Sequence, residues 1–224
     1  MDAPDLDPVA HHKALVGLGR INRWSRSSEI LWPVIYRRAQ LCSKAGPLRV
    51  LDVASGGGDV PLRLAQKAVR AGVALEMVGL DMSPVAVEYA RKAARLAGIP
   101  MLFEVHDVLR DPLPGGFDVV TSSLFLHHLD PPDATRLLRS MAGAGRLVVV
   151  NDLRRSWPGY LLAHVACRIL TSSPVVHIDG PRSVAGAFST DEIARLCATA
   201  GLAPVQIKRR WPGRFLLTYE SAVQ

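Results

Sequence analysis

Two adjacent histidines and one aspartate are the side chains best suited to proton transfer in this chain. His127 and His128 follow a predicted strand, and Asp152 follows the next predicted strand, residues 146–151. The carboxyl ends of neighbouring parallel strands meet at one edge of a sheet, the usual ligand side of open α/β folds. An imidazole titrates near neutral pH and can remove a hydroxyl proton. We predict His127, or alternatively His128, as a general base beside Asp152; a structural or substrate-contacting role stays open.

Further polar candidates lie between residues 152 and 188. If the chain around His177 is extended, His177 and Asp179 lie on one side and could bind or deprotonate a substrate. Arg154 and Arg155 could hold an anionic or phenolate substrate. A satisfied loop histidine and solvated surface arginines are the alternatives for these residues.

A glycine-rich loop follows the first predicted strand, within residues 48–59. A phosphate-binding loop needs a lysine directly after its last glycine, but the next lysine here is Lys67. A dinucleotide fingerprint would place its third glycine at the position of Pro61. Both common nucleotide loops are therefore excluded by spacing, although the missing Cβ atoms still allow backbone to approach a ligand.

The remaining pattern is Asp52, Ala54, Ser55, Gly56 and Gly58, which resembles the first motif of class I S-adenosylmethionine (SAM) methyltransferases, Asp-x-Gly-x-Gly-x-Gly. Ala54 stands where the first glycine is usual. This departure is typical of the subgroup around the ubiquinone and menaquinone methyltransferases. The resemblance implies that these five residues contact SAM, with S-adenosylhomocysteine as product.

Three later segments follow the order of the same family. The predicted strand at 75–81 ends in an acid that could accept bonds from both ribose hydroxyls. The predicted strand at 101–108 carries an acid at the family's adenine-contacting position, and the segment after 116 resembles the fourth motif. The further SAM contacts implied by the resemblance are Asp81, Met82, His106, Asp107, Val108 and Ser122.

The family's fold is a doubly wound, Rossmann-like α/β sheet of seven mostly parallel strands, with the last strand antiparallel. Within it, residues 1–46 are predicted as a helical cover over the SAM pocket, with helices at 11–20 and 28–41. Residues 47–224 are predicted as the methyltransferase domain, with a substrate-side insertion at 152–188.

The apolar part of this insertion, residues 157–170, has three interpretations. Tyr160, Leu161 and Val165 have the spacing of a core helix underside. Because the family inserts its substrate cover after the fifth strand, the same residues could instead line an apolar acceptor pocket. Docking on a membrane surface is the third interpretation.

Composition is that of an ordinary α/β protein: 224 residues, 49% hydrophobic and 21% charged. No apolar stretch reaches the ~18 residues of a membrane span, and the start lacks the pattern of a signal peptide, so we expect a cytoplasmic location. The three cysteines have no Cys-x-x-Cys spacing, and neither a disulfide framework nor a metal site is predicted.

The net charge of +7 raises the question of a nucleic-acid partner. Enzymes that methylate base amino groups carry Asn/Asp-Pro-Pro-aromatic after the fourth strand, where this chain has residues 122–125, Ser-Ser-Leu-Phe. Asp130-Pro131-Pro132 is better interpreted as a helix start. No cysteine stands near the carboxyl end of a strand, as RNA carbon methylation would require. Nucleic acid is therefore an unlikely acceptor.

The His-His pair and the post-strand Asp152 resemble those of small-molecule O-methyltransferases. We predict SAM-dependent methyl transfer to a small, fairly apolar acceptor, at a phenolic or alcoholic oxygen of a polyketide, quinone precursor or similar natural product. The alternatives are a ring C-methyltransferase of quinone type, an RNA methyltransferase and a non-catalytic SAM-binding protein. The oligomeric state is not predicted.

Overall fold

The computed structural model describes residues 26–42, 46–157, 159–161, 165, 168, 177 and 182–221. The strands are β1 (Leu48–Val53), β2 (Leu75–Asp81), β3 (Leu102–Val105), β4 (Phe117–Ser123), β5 (Gly145–Leu153), β6 (Gln206–Arg210) and β7 (Arg214–Glu220). The helices are α1 (Ser27–Cys42), α2 (Asp59–Arg70), α3 (Pro84–Leu96), α4 (Pro131–Ala144) and α5 (Thr190–Thr199), with a 3₁₀ turn at Leu126–His128.

The seven strands form one sheet in the order β3-β2-β1-β4-β5-β7-β6. Strands β1 to β5 pair in parallel, and β7 lies antiparallel between β5 and β6. The strand order reverses at β1 and β4, so the loops after these strands open a crevice at their carboxyl ends. This architecture confirms the predicted fold, including the antiparallel last strand.

Helix starts are set by short polar side chains that accept backbone N–H groups. Ser83 Oγ accepts from the Ala86 amide at 3.2 Å, with a proline at the first position of α3. Asp130 caps α4 in the same way and is followed by two prolines, which confirms the predicted helix start there. Ser189 and Glu192 form a capping box at the start of α5.

The apolar core lies on both faces of the sheet because alternate strand residues point to opposite sides. Val148 and Val150 pack in the cluster that includes residues of α4 and α5. Val149, between them, packs in the cluster that includes residues of α1 and α2. The polar carboxyl ends of the strands are thus held by a rigid apolar body.

Helix α1 belongs to one of these layers. Its buried Ile30, Leu31 and Ile35 pack in the same cluster as Val50 of β1 and Val149 of β5. The apolar residues at 28–41, whose spacing predicted a helix, therefore pack against the sheet. The predicted helix at 11–20 lies outside the described residues, so a cover over the cofactor pocket stays a prediction for that part of the chain.

Two predicted strand boundaries were wrong. β3 ends at Val105, so His106 and Asp107 lie in the turn that follows instead of in the strand. β5 continues to Leu153, because β7 extends the ladder and pairs Asp152 with Phe215. Asp152 is therefore the penultimate residue of the strand rather than a residue after it.

Among the described residues, no helix combines the length and the apolar character needed to cross a membrane.

Candidate active site

The loop after β1 is a tight turn in the left-handed backbone region. Ala54, Gly56 and Gly58 have φ values of 56°, 54° and 74°. The Ser55 amide donates to the Leu80 carbonyl at 2.8 Å, which ties the loop to β2. A Cβ atom at Gly56 would meet nothing within 4 Å, so the space in front of this residue is open. The loop can therefore admit a ligand close to its backbone.

Gly58 has a different task from Gly56. A Cβ atom there would lie 2.8 Å from both Ala90 Cβ and Phe103 Cζ. At Gly79 in β2 a Cβ atom would lie 2.5 Å from Phe103 Cδ1 and 3.0 Å from Ser55 Oγ. Both glycines let the Phe103 ring fill the space beneath the loop. Sequence reasoning did not single out Gly79, since an isolated glycine in a strand carries only a weak signal.

The Asp81 carboxylate bridges the glycine loop and the start of α3. Its Oδ2 accepts from the Gly56 amide at 2.7 Å, and its Oδ1 accepts from the Ser83 amide at 2.9 Å. Each carboxylate oxygen has a second lone pair for a further donor. The neighbouring Met82 is 64% exposed, so its side chain offers apolar surface at this edge of the sheet.

Asp52 and Ser122 are buried beneath the loop and join β1 to β4. Thr121 Oγ1 donates to Asp52 Oδ1 at 2.6 Å. Ser122 Oγ donates to the Val53 carbonyl at 3.1 Å. Both predicted SAM-contacting side chains thus have protein partners, and their contact with the cofactor stays a prediction.

Burial raises the pKa of Asp52 to about 7. The hydrogen bond from Thr121 lowers this pKa, while the negative charges of Asp59 and Asp81 raise it further. A carboxyl group surrounded by other carboxylates and by apolar atoms is easier to bury with its proton than without it.

The turn after β3 holds the predicted adenine-contacting residues. His106 Nε2 is buried with no hydrogen-bond partner among the described residues. Asp107 Oδ1 accepts from the Leu109 amide at 3.1 Å, and its Oδ2 lies 3.5 Å from Arg110 Nε. Val108 is buried in the apolar cluster on the α4 side of the sheet. A buried nitrogen without a partner is a polar atom that a ligand can satisfy.

The predicted general base and its acid are in direct contact. His127 Nδ1 lies 2.6 Å from Asp152 Oδ1, and both side chains are at most 5% exposed. The His127 amide also donates to Asp152 Oδ2 at 3.3 Å. The Leu124 amide, at φ 60°, donates to the Asn151 carbonyl and ties the end of β4 to β5. Two neighbouring strand ends therefore set the position of the imidazole.

Asp152 keeps its negative charge despite its burial. Burial alone would raise its pKa, but the imidazole of His127 and backbone N–H groups hold the pKa below the usual value. An ionised Asp152 at 2.6 Å accepts a proton from His127 Nδ1, and in that neutral tautomer of the imidazole Nε2 is a hydrogen-bond acceptor. This arrangement is suited to removing a proton from a bound hydroxyl.

The other predicted bases are placed differently. The His128 ring packs on the His127 ring with centroids 4.1 Å apart and a 39° tilt. His177 is half-buried. Asp179 lies outside the described residues, so the predicted His177–Asp179 pair stays a prediction.

Sequence reasoning missed one charged residue of this region, Arg214. It is 2% exposed at the start of β7, opposite Leu153 in the ladder, and its Nη1 donates to Ser27 Oγ at 2.7 Å. Burial lowers its pKa to about 10, while the charges of Asp152 and Asp59 oppose this shift. The only signal in the sequence was an arginine beginning an apolar strand.

The described residues fit the cofactor that the motifs imply. Gly56 leaves open space, Asp81 has acceptor lone pairs and His106 has an unpartnered buried nitrogen. All three lie at the carboxyl ends of β1, β2 and β3, next to one another in the sheet.

Comparison with known proteins shows the family. The model of the methyltransferase domain family matches residues 50–146. A ubiquinone biosynthesis O-methyltransferase of Ralstonia nicotianae is 31% identical over 183 residues, 78% of this chain and 73% of the relative. A demethylmenaquinone methyltransferase of Thermus thermophilus is 35% identical over 140 residues, 61% of this chain and 57% of the relative. The chain belongs to the class I SAM-dependent methyltransferases, in the subgroup of the ubiquinone and menaquinone enzymes.

It is accordingly an enzyme that uses SAM as its methyl donor and acts on small molecules. Among solved structures, an O-methyltransferase family 2 protein of Planctomyces limnophilus in complex with apigenin superposes with a TM-score of 0.71 at 19% identity. The match covers 99% of this chain and 64% of the other, and it supports the fold. The chain thus spans less than two thirds of that protein and of the Thermus thermophilus relative.

Proposed function

We propose that this enzyme methylates a phenolic or alcoholic oxygen of a small, fairly apolar acceptor, of the kind found among quinone precursors and other aromatic natural products. His127 is the general base, and Asp152 is the residue that positions it. The observation that carries the proposal is the buried contact of 2.6 Å between His127 Nδ1 and Asp152 Oδ1.

SAM supplies an activated methyl group on a positively charged sulfur, so the protein needs to align the acceptor and remove its proton. In the proposed mechanism, Asp152 holds the Nδ1 proton of His127, and Nε2 accepts the proton of the acceptor hydroxyl as its oxygen becomes the nucleophile. The low exposure of both side chains keeps water from competing for that proton.

On the cofactor side, Asp81 would accept hydrogen bonds from the ribose hydroxyls with its remaining lone pairs. The Gly56 backbone would lie against the methionine part, where no side chain occupies the space. His106, Asp107 and Val108 would surround the adenine. The acidic residues at the ends of β1 and β2 suit a ligand with a positive sulfur and an ammonium group.

The relatives support the acceptor class. The Ralstonia nicotianae relative is named as a ubiquinone biosynthesis O-methyltransferase, a name that gives oxygen as the methylated atom and quinone synthesis as the setting. A catechol offers phenolic oxygens of the proposed kind. We therefore propose incubating the purified enzyme with methyl-labelled SAM and a catechol carrying an alkyl chain, in parallel with total RNA. Labelled methyl ether is the expected product; label in RNA alone would contradict the proposal.

The matched variants are His127→Ala and His128→Ala, which remove adjacent imidazoles. His127→Ala is expected to lower kcat by ~10²-fold or more while SAM still binds. His128→Ala should leave most of the activity, since it removes a ring that packs on His127 but keeps the contact between His127 and Asp152. Equal losses in the two variants would contradict the role of His127 as the base.

Ring carbon methylation is the second candidate, and the Thermus thermophilus relative favours it. That protein is 35% identical and named as a demethylmenaquinone methyltransferase. In such a reaction His127 would remove the phenol proton, the phenolate's ring carbon would take the methyl group from the sulfonium, and the proton on that carbon would then leave to restore the aromatic ring. The two products have the same mass, so they are first treated with hydrobromic acid, which cleaves a methyl ether but not a ring methyl group. Mass spectrometry then shows whether the added methyl group has been lost.

A further inference from the structure

An open cavity lies at the ends of β5 and β6, and its lining begins at Arg154, two residues beyond Asp152. Its volume is about 610 Å³, and its described lining contains no residue of the glycine loop. Three arginines line it, Arg154 after β5 and Arg209 and Arg210 at the end of β6. Leu161, Val165 and Trp211 supply its apolar surface. The cavity therefore combines positive charge with apolar walls.

Within the described part of the chain, the three arginines have no counter-charge. No carboxylate among the described residues lies within ion-pair distance of Arg154, Arg209 or Arg210. Arg154 Nε is moreover buried, and none of the described residues forms a hydrogen bond with it. A buried donor without an acceptor is unfavourable, and three like charges around one cavity repel one another. Both costs fall when an anion enters.

Arg155 shows what a paired arginine looks like in the same stretch. Its Nη2 lies 2.5 Å and 2.7 Å from the two carboxylate oxygens of Glu192 at the start of α5. Arg154, one residue earlier, faces the cavity and has no such partner. Of these two arginines, Arg155 is paired with Glu192, and Arg154 is the one that lines the cavity.

We propose that this cavity binds a carboxylate carried by the acceptor, so that the substrate is an aromatic or alkyl-substituted aromatic acid. This inference rests on the proposed function. Arg154 and Arg209 hold the carboxylate through the planar fork of the guanidinium group. Leu161, Val165 and Trp211 contact the apolar body.

The position of Arg154 fits this division of tasks. It lies two residues beyond Asp152, and extended chain rises by ~3.3 Å per residue, so the two backbones are about 7 Å apart. That distance is close to the length of a substituted benzene ring. Because His127 contacts Asp152, the substrate that this proposal expects has its hydroxyl at His127 and its carboxylate at Arg154.

The test compares two probes of the same shape, 4-hexyloxybenzoate and its uncharged amide. Binding is measured by calorimetry and by quenching of tryptophan fluorescence, since Trp211 lines the cavity. The benzoate is expected to bind about tenfold or more tightly than the amide, with a preference that weakens at high salt. Equal binding of the two probes would overturn the inference.

Variants locate the binding. Arg154→Gln is expected to remove the preference for the benzoate, and Arg209→Gln, at an exposed strand position, is a second test if Arg154→Gln folds poorly. The matched control is Lys208→Gln, which removes one charge from the same strand outside the cavity lining. Loss of the preference in the control as well would mean general electrostatic attraction and overturn the proposal.

Two further measurements, vesicle binding and turnover, distinguish the remaining explanations. Binding to vesicles of anionic phospholipid, without binding of free benzoate, would assign the cavity to a membrane headgroup and overturn an acceptor site. Turnover is measured in parallel on catechol and on 3,4-dihydroxybenzoate. If catechol is methylated and the acid has no advantage in KM, this inference alone fails. If neither compound is methylated while the benzoate probe binds, the failure belongs to the proposed function.

Discussion

Two aspartates at the ends of β1 and β5 are equally buried and carry opposite pKa shifts. Asp52 is 2% exposed and Asp152 is 1% exposed. The pKa of Asp52 is raised to about 7, whereas that of Asp152 is lowered. Burial raises both values, so the difference comes from the neighbouring groups.

The neighbours divide the edge of the sheet into two halves. Among the described residues beside Asp52, the charged groups are the carboxylates of Asp59 and Asp81, and the neutral hydroxyl of Thr121 donates a hydrogen bond. Beside Asp152 are an imidazole and the guanidinium of Arg214. The β1–β2 half therefore suits a cationic ligand such as SAM, and the β5–β7 half suits groups that gain negative charge, as a deprotonated acceptor does.

Asp152→Asn should give the largest effect of the variants that test this contrast. The amide cannot hold His127 as a base in the same tautomer, so kcat is expected to fall by ~10²-fold or more with SAM affinity kept. The measurement is kcat and KM with labelled SAM, with calorimetry for the cofactor. A parallel loss of SAM affinity would indicate a structural role instead.

The stability effect of this variant has a defined pH dependence. The folded-state pKa of Asp152 lies below its unfolded value, so its contribution is complete above the unfolded value of about 3.9 and is lost as pH falls through the folded one. The difference in free energy of unfolding between wild type and Asp152→Asn should therefore shrink toward low pH.

Asp81→Ala tests the acidic half through the cofactor. Loss of the ribose hydrogen bonds is expected to weaken SAM binding by ~1–3 kcal/mol, measured by calorimetry. Because the negative charge of Asp81 helps to raise the pKa of Asp52, the variant should also lower that pKa. Unchanged SAM affinity would remove Asp81 from the cofactor site, and His106→Ala would then test the adenine end separately.

Asp52→Asn should stabilise the protein at alkaline pH. With a folded pKa of about 7 and an unfolded one near 3.8, the folded chain holds an extra proton between these values. The contribution of Asp52 to stability therefore falls as pH rises from 3.8 to 7 and stays low above 7. The variant is expected to raise the free energy of unfolding at pH 8 by up to about 4 kcal/mol, the free-energy equivalent of this pKa difference, and much less at pH 4.

Urea unfolding at the two pH values measures this difference. The control is Thr121→Val, which removes the donor at 2.6 Å and should destabilise the protein by about 1 kcal/mol. A gain in Asp52→Asn that is equal at both pH values would mean that the charge of Asp52 is not its cause.

The features of these two halves that the sequence predicts are those set by residues close together in the chain. Strand β2 was predicted with its observed bounds, and the helix start at Asp130 was predicted correctly, because each depends on residues a few positions apart. The contact of His127 with Asp152 was also predictable, since neighbouring parallel strands end at one edge. The pairing of Arg214 with Ser27, 187 residues apart, was not, because only the folded sheet brings them together.

The same limit explains the errors of detail. The apolar pattern stops before Asp152, which predicts that the strand ends at residue 151. Pairing with β7 extends the strand to Leu153. Arg154 and Arg155 are indistinguishable in the sequence. Only the positions of Glu192 and the end of β6 show that Arg155 is paired and Arg154 lines a cavity.

Arg155→Gln should change the stability least of these variants, because it removes an exposed ion pair instead of a buried charge. Its partner Glu192 has a pKa lowered to about 2, first by the amide of Ser189 in the capping box and then by Arg155. The pair is solvent-accessible, with side-chain exposures of 47% and 30%, so screening by water and salt limits its value to ~0.2–1 kcal/mol. Thermal unfolding at low and high salt measures this loss, which should disappear at high salt. A loss in free energy of unfolding as large as the gain expected for Asp52→Asn would show that charge pairing at this edge stabilises the fold irrespective of burial. The contrast between the two buried aspartates would then lose its physical basis.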